Sequence, residues 1–139
     1  MVSMLYSLHS GKAIDSTLSS VAGAQILQWT AHSADNQKWQ LEHLGSNQYK
    51  ITSVFNGRVM DVAENSMINE GKIVTWTATG NNNQKFILES KGYNSYAIKS
   101  LSSGKYLDVL GPSYANGGLI GQFKGTNGEN QTFLFLKKD

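Results

Sequence analysis

Apolar and polar residues alternate along this chain over short runs, never at helical spacing for long. Tyr49, Ile51 and Ser53 alternate with Lys50 and Thr52, while Val59-Met60-Asp61-Val62, Ile73-Val74-Thr75-Trp76 and Phe86-Ile87-Leu88 are brief β-branched or aromatic runs. These patterns predict strands. Turn signals separate them: Asn56-Gly57 divides the first two runs, with Ser10-Gly11 and Ser103-Gly104 in matching places, where glycine can take the positive φ of a tight hairpin. The one proline, Pro112, falls in a loop, so little or no helix is expected.

The runs recur with a fixed period. Asn36-Gln37, Asn83-Gln84 and Asn130-Gln131 are each 47 residues apart, with an aromatic two places after each Gln, at Trp39, Phe86 and Phe133. Laid without gaps on residues 96–139, residues 49–92 match at 15 of 44 positions, and the first copy joins them with one residue deleted. The chain is therefore read as three copies of one four-stranded unit, about 1–46, 47–93 and 94–139, within a single domain spanning 1–139. One such unit cannot bury its own apolar face, so three must share a core. Twelve short strands in three equivalent sets predict an all-β protein, a β-trefoil with pseudo-three-fold symmetry. Trp39, Phe86 and Phe133 should point inward, and Gln37, Gln84 and Gln131 should fasten loops by side-chain hydrogen bonds to backbone.

Three features resemble those of a known family. Gln37-Lys38-Trp39, Gln84-Lys85-Phe86 and Gln131-Thr132-Phe133 each follow a Gly-x-x-x-Asp motif, at Gly11–Asp15, Gly57–Asp61 and Gly104–Asp108. Three such sets in register resemble the ricin-B-type lectins over essentially the whole chain. The resemblance implies a β-trefoil that binds galactose-type sugars (galactose, lactose, N-acetylgalactosamine), or one that targets xylan or another polysaccharide as a module of a larger glycoside hydrolase or toxin. It assigns hydroxyl binding to Asp15, Asp61 and Asp108, stacking platforms to Trp29, Trp76 and Phe123, and amide partners to Asn36, Asn83 and Asn130. Two departures stand out. Where plant members often carry a Gln before the platform, this chain has Leu27, Val74 and Gly121, and two of the three core aromatics are Phe in place of Trp.

The residues make the same case separately. Each copy carries an Asp, an aromatic 14 or 15 residues on, and an Asn seven residues after that: Asp15/Trp29/Asn36, Asp61/Trp76/Asn83 and Asp108/Phe123/Asn130. A pyranose with an axial O4 offers a C–H face to a flat ring and adjacent hydroxyls to a charged acceptor. An Asp takes two vicinal hydroxyls, and an Asn both donates and accepts. The inward aromatic of each unit is already supplied by Trp39, Phe86 or Phe133, which leaves the second aromatic for the surface. Because Phe123 presents a smaller face than Trp, the third site should be weakest.

Composition removes most rivals. With 40% apolar residues, 16% charged residues and a net charge of +2 carried by scattered side chains, the chain suits a folded protein without a stripe for nucleic acid. It has no Cys, which removes thiolate chemistry and disulfides. No basic leader and no run of 18 apolar residues occurs, so neither a signal peptide nor membrane insertion is expected, leaving a cytoplasmic location or export within a larger protein. His9, His32 and His43 share no metal-ligand spacing, and no cofactor is expected. Lys12, Arg58 and Lys105 read as solvated strand-edge charges, Asn69 and Asn116 as turn-shaping residues, and Tyr114 as a further sugar contact of the third copy.

Three other functional classes compete, of which heparin binding would need a basic cluster that the chain lacks. A glycosidase needs two carboxyl groups about 5–10 Å apart, whereas Asp residues related by a three-fold axis should stand much further apart. A protein-binding trefoil of the inhibitor type works through one protruding loop and has no reason to repeat the triplet. The expected partners are galactosides and other glycans of glycoproteins, glycolipids or polysaccharide, bound without calcium at up to three sites of a monomer or homodimer.

Overall fold

The computed structural model describes residues 1–138. Its strands follow the predicted runs: β1 Val2–Ser7, β2 Ala13–Asp15, β3 Leu27–Trp29, β4 Trp39–Gly45, β5 Gln48–Ser53, β6 Val59–Val62, β7 Ile73–Trp76, β8 Phe86–Gly92, β9 Ser95–Ser100, β10 Tyr106–Val109, β11 Ile120–Phe123 and β12 Phe133–Lys137. Helix among the described residues is confined to single 3-10 turns, three of which, Asp35–Gln37, Asn82–Gln84 and Glu129–Gln131, occupy the same place in each repeat. The expected all-β, twelve-stranded architecture is present.

Strand pairing closes a barrel. β1 pairs with β4 and β12, β5 with β4 and β8, and β9 with β8 and β12, so six antiparallel strands return on themselves and leave no edge. The remaining hairpins, β2–β3, β6–β7 and β10–β11, lie at one end of the barrel. They are joined to one another by isolated bridges Gln25↔Val74, Leu27↔Leu119 and Lys72↔Gly121. This is a β-trefoil: a six-stranded barrel capped by three hairpins.

The core repeats with the sequence. Trp39, Phe86 and Phe133 are wholly buried, as are the matching sets Leu5/Ile51/Ile98 and Ile26/Ile73/Ile120. The Trp39 indole N–H finds the Ile14 carbonyl at 3.0 Å, so the single tryptophan of this layer leaves no orphan donor. The turns entering the cap behave as predicted. Gly11, Gly57 and Gly104 have φ of 73°, 72° and 73°. Each donates its N–H back to the last strand residue before the turn, Ser7, Ser53 or Ser100.

Buried glutamines staple one repeat to the loop of another. Gln28 donates to the Ser113 and Ala115 carbonyls, and Gln122 to those of Ser66 and Ile68. The third equivalent is Thr75, whose buried hydroxyl has no partner among the described residues. There the neighbouring loop is held from outside, by Asn56 on the Ser19 carbonyl and by Arg58 on the Ser20 carbonyl. Arg58 is thus a loop anchor, which corrects its expected role as a solvated strand-edge charge. Phe86→Ala should cost about 3–5 kcal/mol through the cavity it leaves, a loss that chemical denaturation can measure directly.

Candidate functional site

Each repeat places its Asp on the first strand of a cap hairpin and its exposed aromatic on the second. In repeat 2, Asp61 pairs with Val74 and Trp76 with Val59, so acid and ring lie diagonally on one hairpin, within reach of a single ligand. The 3-10 turn that follows then brings Asn83 and Gln84 back against that hairpin. The same register holds for Asp15 and Trp29 and for Asp108 and Phe123.

The carboxylates are 4% exposed in all three repeats and are held by the glutamines. Gln84 donates one amide hydrogen to Asp61 Oδ2 at 2.8 Å and the other to the Thr77 carbonyl at 2.9 Å, while its Oε1 accepts the Thr79 N–H at 2.7 Å. Gln37 joins Asp15, Thr30 and His32 in the same way, and Gln131 joins Asp108, Lys124 and Thr126. The loop-fastening role expected of these glutamines is therefore present. That each would also grip the acid was not legible in the repeat spacing.

The asparagines are more varied than their spacing suggests. Asn36 and Asn130 donate to the Asp Oδ1 of their own repeat at 2.9 and 3.1 Å, and Asn83 donates to the Val62 carbonyl at 3.1 Å. Part of each amide is thus committed to positioning before any ligand arrives. Asn36 is buried and its Oδ1 has no partner. The platforms stay outside the core: Trp29 and Trp76 are 43% and 44% exposed, and Phe123 is half-buried.

Burial raises the pKa of Asp61 and of Asp108. The hydrogen bond from Gln84 and the nearby Asn83 amide oppose the shift at Asp61, and hydrogen bonds from Gln131 and Asn130 oppose it at Asp108, where the Glu70 carboxylate adds a further upward push. The ionised acids are destabilised by folding. Protonating them therefore favours the folded state, so their contribution to stability is largest at low pH and is lost as pH rises through the raised folded-state values.

The second site draws on three repeats. Repeat 2 opens into a cleft of about 1050 Å³, lined by Asp61, Trp76, Asn83 and Lys72 of its own, by Gly23 of repeat 1, and by Ser102 of the repeat 3 hairpin. Ser102 also donates to Asn65 at 2.8 Å, tying the hairpin of repeat 3 to the loop of repeat 2. Asn69 and Asn116 each reach the following repeat, accepting the N–H of Lys124 and of Thr30, the residues just after Phe123 and Trp29. Their expected turn-shaping role is thus exercised across a repeat boundary.

The third cleft, about 510 Å³, is lined by Asp108, Phe123, Asn130 and Glu70. Tyr114, expected as a sugar contact, stacks on His9 with ring centroids 3.9 Å apart and is absent from this lining. In repeat 1, where one residue is deleted, Asp15 Oδ1 also accepts the Thr17 N–H at 2.7 Å, and His32 Nε2 lies 4.0 Å from Oδ2. No main-chain donor reaches Asp61 or Asp108 among the described residues. No group of three acidic, His or Cys side chains able to hold a metal occurs among them either.

A family model for the ricin-type β-trefoil lectin-like domain matches residues 3–76, 35–123 and 82–139. Among solved structures, a designed three-fold symmetric protein, ThreeFoil, is 30% identical, with a TM-score of 0.96 and 99% of each chain covered. An exo-β-1,3-galactanase from Clostridium thermocellum is 33% identical with a TM-score of 0.93; the match covers 97% of this chain but 30% of that one. A Macrolepiota procera ricin B-like lectin solved with lactose shares the fold, with a TM-score of 0.81, 16% identity, and 97% and 94% coverage. A search of curated protein sequences found no match.

Gln84→Ala removes a donor that lowers the Asp61 pKa, together with two loop bonds. It should raise that pKa further, as read by carboxyl NMR, and destabilise the protein by about 1–3 kcal/mol.

Proposed function

The chain belongs to the ricin-type β-trefoil lectin-like family, and from that premise we propose that it binds galactose-type sugars at shallow, calcium-independent surface sites without catalysing a reaction. The observation that carries this reading is the second cleft, where a buried, pre-oriented Asp61 lies beside the exposed face of Trp76. Asp61 accepts from adjacent sugar hydroxyls, Trp76 stacks on the C–H face, and Asn83 adds a polar contact at the rim. Asp108, Phe123 and Asn130 act alike in repeat 3. Repeat 1 has the same triplet, Asp15, Trp29 and Asn36, but more of its carboxylate is already engaged, by Thr17 N–H and Asn36. This makes the first site the weakest, whereas ring size alone pointed to the third.

One site of this kind supplies roughly 4 kcal/mol, a millimolar Kd. Two or three on one rigid barrel can bridge neighbouring glycans and gain about 10²–10⁴ in avidity. Because the carboxylates meet hydroxyls directly, EDTA should leave binding intact. A second reading, as the targeting module of a larger hydrolase, is favoured by the 33% identity to one part of a galactanase chain.

Titration with galactose, lactose, N-acetylgalactosamine and xylose, followed by amide and indole NMR, tests this. Asp61→Asn should weaken binding at Trp76 by about tenfold or more, the worth of a hydrogen bond to a charged group, while the fold stays intact. No spectral response at Trp76 to any of these sugars would overturn the assignment. Binding at the second and third sites should fall on acidification, starting above the ordinary Asp value of 3.8, because their acids protonate early. Calorimetry against pH reads that decline.

A further inference from the structure

One wall of the third cleft departs from the three-fold pattern. Gly23 and Gly117 occupy equivalent places in repeats 1 and 3, with φ of 94° and 86°. Each stands against the platform of the next repeat. A Cβ on Gly23 would lie 3.2 Å from the outer six-membered ring of Trp76, and one on Gly117 would lie 3.9 Å from that of Trp29. The third equivalent is Glu70, which keeps the left-handed backbone, with φ of 70°. A non-glycine residue there is strained. The platform it faces is Phe123, which lacks the fused ring that fills this space in the other two repeats. Gly with Trp has been exchanged for Glu with Phe.

The exchange alters the charge of the cleft. Glu70 and Asp108 both line it, no Lys, Arg or His is among its lining residues, and Glu70 forms no ion pair among the described residues. Burial is the main cause that raises the Asp108 pKa, and the Glu70 carboxylate adds to it. The second cleft differs, since Lys72 lines it together with Asp61 and Glu64. Its place is taken in repeat 3 by Leu119.

We infer that the third site selects cationic amino sugars, hexosamines with a free C2 amine, over neutral galactose, with Glu70 as the residue that sets this preference. This rests on the sugar-binding reading above. On a hexopyranose the C2 amine neighbours O3, so a sugar that offers O3 and O4 to Asp108 presents its ammonium beside that acid, towards a second carboxylate on the neighbouring wall. An ammonium is attracted to both carboxylates and, over an aromatic face, to the ring as well. N-acetylation removes the charge and with it the preference.

The test is an NMR titration of the whole chain at pH 6.5 and low salt with galactosamine, galactose and N-acetylgalactosamine. Amides of Lys124, Thr126 and Asn130 report the third site, and the Trp76 indole the second. Galactosamine should half-saturate the third site at about fivefold lower concentration than galactose, should lose that margin in 0.5 M salt, and should show no such margin at Trp76. Glu70→Gln should bring the galactosamine to galactose ratio near one. Glu70→Gly, which relieves the backbone strain and restores the residue found in the other repeats, should do the same. A ratio near one in the native protein, an equal margin at Trp76, or a margin that survives both substitutions would overturn the assignment to Glu70 while galactose binding stands. Absence of any response to all three sugars at both reporters would instead overturn the sugar-binding reading itself.

Discussion

A carboxylate taken out of water is costly unless donors replace the lost hydration, and this chain meets that demand three times with one device. A glutamine from the 3-10 turn uses both amide hydrogens and its carbonyl oxygen, joining the Asp of the first cap strand to the backbone that leaves the second. The bond that fixes the acid thus also fixes the loop carrying the platform. The aromatic two residues beyond each glutamine, Trp39, Phe86 or Phe133, enters the core and anchors the turn from below. Barrel packing is in this way transmitted to a surface carboxylate through two residues of sequence.

The same economy makes the sites a property of the whole trefoil. The second cleft is walled by Gly23 of the previous repeat and Ser102 of the next, and the third by Glu70 of the previous repeat. Symmetry supplies three copies, and small departures from it set them apart. A deleted residue in the first loop lets Thr17 N–H reach Asp15. Lys72 adds a positive charge to the second cleft and Glu70 a negative one to the third. Each departure lies outside the repeated triplet, so the fold is untouched while the chemistry diverges.

The period of 47 residues, the alternating runs and the hairpin glycines determined the architecture from the sequence alone, because burial on a closed barrel demands one inward residue at each repeated position. The inward Trp39, Phe86 and Phe133 and the exposed Trp29 and Trp76 were legible for that reason. Strand bounds such as Val59–Val62 and Ile73–Trp76 also agreed with the runs. What the spacing left open was where the polar groups spend their hydrogen bonds. That Gln84 grips Asp61, that Asn36 is committed to Asp15, and that Arg58 holds the Ser20 carbonyl follow from contacts across turns and repeat boundaries. The stacking of Tyr114 on His9, over a hundred residues away in the chain, is of the same kind. Periodicity reports which face of a strand a side chain occupies, since burial has the period of the backbone; partnership depends on which other segment closure brings to that face, and only the folded barrel decides it.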